Sequence, residues 1–252
     1  MAASINSSPV HRERDLRGQT VLVIGGSSGI GLQTARLAHV KGAHIILTAR
    51  NPDRLHHAGL ELGASIAAFD ATDFDRLGRF FDALPAPIDH LLVSGPGPYY
   101  APLAGLDLDA ARRAVDAHLL LPLHIARHAA GRVRPGGTLL FMGGTGGRRV
   151  TAGLAFIAAL TAALPALTKT LALEVAPVRV NLIAAGSVDT PLPAPLLGDQ
   201  IDERREQLRT TLPIGRVVGP DDIAALAVHL MTNTAITGAT FDIDGGQQLV
   251  EG

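Results

Sequence analysis

The chain has 252 residues, 47% of them hydrophobic, a formal net charge of −1, and neither cysteine nor tryptophan. That length and apolar content suit one α/β domain with a core of small and aliphatic side chains. The near-neutral charge without a basic block argues against a nucleic-acid partner, the missing cysteines exclude disulfide and thiolate chemistry, and no metal site is expected.

Residues 1–15 (MAASINSSPVHRERD) read as a flexible arm with no apolar signal region. No apolar run reaches the roughly 18 to 20 residues of a membrane span. The expectation is therefore a soluble, cytoplasmic protein with no membrane partner and one domain over residues 16–252. The first strand is expected at Val21–Ile24, followed by glycines at 25, 26, 29 and 31 and a helical pattern from Ile30. Strand, glycine turn and helix in that order make a phosphate cradle: unpaired N–H groups and the positive dipole end face a pyrophosphate that glycines let approach. The candidate cofactor contacts here are Gly25, Ser27, Ser28, Gly29, Ile30 and Gly31. Lys41-Gly42 closes the helix, and residues 43–48 (AHIILT) are the second buried strand. It ends in Ala49-Arg50, where an acid would select NAD through the ribose 2′-OH. A neutral residue beside an arginine accommodates a 2′-phosphate instead, so NADP(H) is expected over NAD(H). A solvated loop arginine is the alternative for Arg50.

Pro52–Leu62 reads as a helix with proline in its first turn, residues 64–69 as the third strand, and 73–84 as a helix closed by Pro85 and Pro87. Residues 88–93 (IDHLLV) make the fourth strand. Tyr99 and Tyr100, the only tyrosines, follow it at the edge where a parallel sheet forms its ligand crevice. They are candidate substrate contacts or an exposed loop pair. One long helix is expected over 107–132, a fifth strand over 138–142, and a second long helix over 152–176, loosened at Pro165. A sixth strand over 178–183, a helix over 221–231 and a last strand over 239–244 complete the pattern. This alternation predicts a single Rossmann-type doubly wound parallel sheet of about seven strands with helices on both faces.

The spacing GGSSGIG, the stretch LTKTLALEVAPVRVNLIAAGSVDTP and the terminal Asp244-Gly245-Gly246 resemble the short-chain dehydrogenase/reductase family over roughly residues 16–248. The chain departs from it at Ile24, where a threonine is usual, and at Val93-Ser94-Gly95-Pro96, where Asn-Asn-Ala-Gly is usual. The resemblance places Asp70 and Ala71 near the adenine, and Ser94, Gly95, Gly186 and Val188 along the cofactor. A helix N-cap is the alternative role for Asp70. It also implies a mobile lid at about 187–212, a small-molecule substrate, and a homo-oligomer, often a tetramer. The family moves a proton with a Tyr-x-x-x-Lys pair, whose i, i+4 spacing puts both side chains on one helical face, helped by a serine and an asparagine. In this register the tyrosine position is Phe156, the lysine position Leu160, the serine position Gly143 or Gly144, and the asparagine position His118.

No tyrosine follows residue 100, and the only lysines are Lys41 and Lys169, so no slip of register restores the pair. Three functions stay open. One is a divergent NADP(H) oxidoreductase with another proton donor, His118 foremost and Tyr99, Tyr100 and Thr145 after it, or with an acceptor needing no strong acid. Another is a pseudoenzyme that binds a dinucleotide as a sensor or assembly partner. The third is a non-redox enzyme using the same crevice.

Overall fold

The computed structural model describes residues 15–95, 97–129, 131–148, 152–190 and 201–250, with the side chains of Ile201 and Arg204 excepted. The chain is already packed at Leu16, which is fully buried and donates its N–H to the Lys41 carbonyl at 2.9 Å. Seven parallel strands follow: β1 (Thr20–Ile24), β2 (His44–Ala49), β3 (Ser65–Ala68), β4 (Ile88–Val93), β5 (Val133–Gly144), β6 (Arg179–Ala185) and β7 (Thr240–Ile243). Their order in the sheet is β3-β2-β1-β4-β5-β6-β7. The expected doubly wound α/β sheet is thus present, and the central strands read as unbroken aliphatic runs because both of their faces are covered.

On one face lie α1 (Gly29–Val40), α2 (Pro52–Leu62) and α8 (Pro220–Thr232), burying Ala35, Leu55 and Ile223. On the other lie α3 (Phe74–Asp82), α4 (Leu108–Val115), α5 (Leu121–Ala129) and α6 (Ala155–Glu174), burying Phe81, Ile125 and Leu164. A further helix, α7 (Ile201–Thr211), precedes α8. Local chemistry sets the starts: Asn51 accepts from the Arg54 N–H, with Pro52 in the first turn, and Asp73 accepts from the Arg76 N–H.

Some boundaries differ from the sequence reading. The long helix over 107–132 is two helices joined by a π-helical turn, Asp116–Leu120. Pro122 has no N–H for the His118 carbonyl, so the hydrogen-bond ladder changes register just before it. Strand β5 starts earlier than expected, and α6 runs unbroken through Pro165. The statement about membrane spans also needs correction, because α6, at 20 residues, is long and apolar enough to cross a bilayer by length and composition. Its residues Ile157, Leu164 and Leu171 are buried in the domain. The expected lid lies partly outside the described residues, at 191–200; the rest includes α7.

The starting ends of the strands are braced by buried polar groups. His90 Nε2 meets Gln19 Oε1 at 2.6 Å, and Arg179 donates to the carbonyls of Gly136, Leu230, Met231, Asn233 and Ile236 at 2.8–3.2 Å. This brace leaves the opposite edge of the sheet free to carry a site.

Candidate functional site

The chain reverses its direction of winding between β1 and β4, so the crevice opens where these neighbours end. The register sets Ile24 beside Val93, and Val93 beside Phe141, which brings the turn after β1 against the loop after β4. Gly25 takes φ +85°, and a methyl group there would fall on the Ser94 carbonyl oxygen. At Gly26 a methyl would stand 2.7 Å from Leu47 Cδ2, and at Gly31 it would strike the Gly25 carbonyl. Gly29, at φ +53°, has ordinary room, 3.5 Å to Thr190 Cβ. The turn is therefore backbone packed on backbone, and a flat anion can lie close to it.

The start of α1 has the chemistry for that anion. Ser28 is its N-cap, but its side chain makes no capping bond and the first turn carries no acid. The first N–H groups of a helix have no partner in the helix itself, and here no capping side chain takes them. A dinucleotide pyrophosphate fits this cradle, with Ser27, Ser28, Ile30 and Gly31 around it. Arg50 is exposed at the end of β2, beside buried Ala49. Asp70 accepts from the Thr72 N–H at 2.9 Å and from its hydroxyl at 2.8 Å. It therefore shapes the turn through Ala71, and the helix cap considered for it belongs to Asp73.

Ser94 and Gly95 line the loop after β4; Pro96 lies outside the described residues. Gly186 packs on the C-terminal turn, where a methyl would stand 2.6 Å from Asp244 Cβ, and Val188 forms a bridge with Val218. The sequence reading missed Thr190, which is buried and sits against Gly29 at the phosphate turn. No local signal marks it, because the contact joins distant parts of the chain. Asp189 before it accepts from Arg205 Nε and Nη2 at 3.0 and 2.8 Å, tying α7 to this segment.

The chemistry face is apolar. Leu160, Ile157 and Ala114 form a buried cluster, with Phe156, Tyr99, Leu119 and Leu154 packed around it. Phe156 and Leu160 share the helical face on which the resemblance would put tyrosine and lysine. A side chain on Gly143 would press into Leu164 and Leu182 at 3.1 Å, whereas one on Gly144 would meet the Thr161 methyl at 3.5 Å. Thr145 is buried. Among the described residues no cluster of metal-ligating side chains occurs.

His118 stands on the π-helical turn, against the loop after β4. Burial pushes its imidazole below the usual histidine range, against a hydrogen bond to the Gly97 backbone that raises it. Its Nε2 is buried with no hydrogen-bond partner. Burial thus favours the neutral form of His118, the proton donor the sequence reading placed first. Tyr99 does come to the chemistry face: its ring meets Phe156 edge-on, centroids 5.9 Å apart at 66°. Its hydroxyl oxygen accepts the Asp107 N–H at 2.9 Å. Tyr100 is 55% exposed and lies outside the apolar cluster.

Known proteins share this architecture. The family model described as enoyl-(acyl carrier protein) reductase matches residues 24–248. The short-chain dehydrogenase/reductase ATR9 of Stachybotrys chlorohalonatus is 29% identical over 252 residues, covering 92% of this chain and 97% of the relative. The solved MalC reductase/Diels-Alderase of Malbranchea aurantiaca has a TM-score of 0.86 at 26% identity, covering 94% of this chain and 100% of that one. BdcA, solved in complex with NADPH, has a TM-score of 0.82 at 28% identity, covering 91% and 94%.

Proposed function

The chain belongs to the short-chain dehydrogenase/reductase family, and from that we propose that it is an NADP(H)-dependent oxidoreductase whose proton transfer does not use a Tyr-x-x-x-Lys pair. The observation that carries the reading is the turn at Gly25–Gly31, with its side-chain-free packing and its helix start left uncapped. Neighbours solved with NADPH support a nicotinamide dinucleotide there. When bound, that cofactor supplies or accepts a hydride at its nicotinamide ring. The chain's part is to hold the pyrophosphate on the α1 N–H groups and the 2′-phosphate on Arg50, and to keep water from the reacting carbon with the cluster around Leu160.

Calorimetry with NADPH and NADH tests this. NADPH is expected to bind the wild type. Arg50→Ala is expected to weaken NADPH about 10- to 100-fold, the worth of one charged hydrogen-bonded contact, and to leave NADH unchanged. Unchanged NADPH affinity in Arg50→Ala removes the phosphate assignment, and no binding of either dinucleotide removes the reading itself.

A second reading, a dinucleotide-binding pseudoenzyme, draws on the same apolar cluster. Phe156 cannot exchange a proton and Leu160 carries no charge, and general acid–base assistance is worth about 10² to 10⁴ in rate. Tight NADPH binding with no turnover over ketones, imines and enones favours it. A non-redox reaction in the same crevice draws only on one neighbour's description as a reductase/Diels-Alderase.

A further inference from the structure

His118 and Tyr99 are the titratable candidates that the structure brings to the chemistry face. His118 holds a buried Nε2 with no hydrogen-bond partner. Tyr99 accepts at its oxygen from the Asp107 N–H, and its own O–H proton has no acceptor among the described residues. A phenol carries an O–H donor, so Tyr99 has a proton to give. Its ring touches Phe156, the residue standing where the family places its tyrosine.

We propose that Tyr99 is the proton donor of this site, a phenol delivered by the loop after β4 instead of by α6. The proposal rests on the oxidoreductase reading above. In carbonyl reduction the substrate carbon gains a hydride with its electron pair from the reduced dinucleotide, and the π pair of the C=O bond moves to oxygen. The Tyr99 O–H bond breaks, a new O–H bond forms on the substrate, and a phenolate is left to recover its proton from water. The phenolate oxygen keeps the Asp107 N–H, at the N-terminal end of α4, where the helix dipole favours negative charge. The Asp107 carboxylate is occupied by the N–H groups of Asp109 and Ala110 at 2.8 and 3.2 Å. In the family arrangement a lysine cation supports the phenolate; here a backbone N–H and a helix start do so, which is why Leu160 can be apolar.

With two tyrosines and no tryptophan, the chain gives a direct readout. Tyrosine labelled with ¹³C at Cζ yields two NMR signals, assigned with Tyr99→Phe and Tyr100→Phe, and Cζ reports ionisation. The oxidised nicotinamide ring is cationic and the reduced ring neutral. The Tyr99 signal is expected to titrate about one pH unit or more lower in the NADP⁺ complex than in the NADPH complex, the shift a cation produces within about 4–6 Å. On whichever panel carbonyl the wild type reduces, Tyr99→Phe is expected to lower kcat about 10²- to 10⁴-fold with KM little changed. Identical Tyr99 titrations in two complexes that both form, or full kcat in Tyr99→Phe, overturn the proposal and leave the dinucleotide reading standing. Failure of both dinucleotides to bind overturns that reading and removes this proposal with it.

Discussion

The glycine turn after β1 and the apolar face at the start of α6 lie on one crevice, yet the chain specifies them by opposite means. The turn is fixed by close contacts at Gly25, Gly26 and Gly31 that leave no room for a side chain, so a departure at any of these costs structure. The α6 face is fixed by side chains that fill space, so Phe156 and Leu160 sit where a phenol and an ammonium are expected and the helix remains intact. The lesson is that a feature written into backbone contacts tolerates fewer substitutions than one written into space-filling side chains.

The sharpest way to break this contrast is at the turn. Gly25→Ala puts a methyl onto the Ser94 carbonyl at a φ of +85°, combining steric overlap with backbone strain. It is expected to cost about 3–5 kcal/mol in denaturant unfolding and to abolish NADPH binding. Gly29→Ala, at φ +53° with ordinary contacts, is expected to cost only about 1–2 kcal/mol. Equal losses for the two would show that backbone packing does not single out Gly25.

The α6 face gives a smaller effect with a charge signature. Leu160→Lys places an ammonium among Ala114, Ile157 and the ring of Phe156. It is expected to destabilise by about 2–4 kcal/mol at pH 7, and by less near pH 10, where the amine can be buried neutral. Phe156→Tyr keeps the ring against Tyr99 and should change stability little. A stable Leu160→Lys protein at pH 7 would mean that the site still accommodates a cation, and the pseudoenzyme reading would lose its main support.

Much of the crevice was legible because its signals are local. Buried parallel strands show as aliphatic runs such as Val21–Ile24, and the phosphate turn as glycines between a strand and a helix. The family register pointed to Phe156 and Leu160, and the structure packs both at the start of α6 in one apolar cluster. What stayed hidden depends on contacts between distant parts of the chain. The side-chain pattern of 107–132 runs smoothly through the π-helical turn, although Pro122 was a usable clue. Nothing near Thr190 announces that it meets Gly29, and nothing near Tyr99 announces Phe156. The burial that lowers the His118 imidazole is likewise a tertiary fact with no local signal.

The opposite end of the sheet supplies the control for both regions, since His90 and Arg179 there are bonded to Gln19 and to backbone carbonyls. His90, on β4, is 4% exposed, and burial with the nearby Arg179 charge lowers its imidazole to about 3, against 6.5 for a free histidine. A histidine depressed in the folded state binds its proton more tightly in the unfolded chain, so stability rises with pH. The contribution is complete above about pH 6.5 and is lost as pH falls toward about 3, at about 1.4 kcal/mol per pH unit. The carboxylates lowered by arginine partners start from 3.8 for Asp222 and Asp242 and from 4.5 for Glu61 and Glu206, so they act in the lower part of that window. Between about pH 6.5 and about 5.5 the slope therefore reports histidines. His90→Leu loses the Gln19 bond at every pH, which lowers stability uniformly, and is expected to flatten this slope by about one proton. His118, half-buried and also lowered, retains a smaller share. If the slope survives in His90→Leu and vanishes in His118→Leu, the crevice and not the braced end sets the acid limit of the fold. The catalytic face would then be structural in the same sense as the glycine turn.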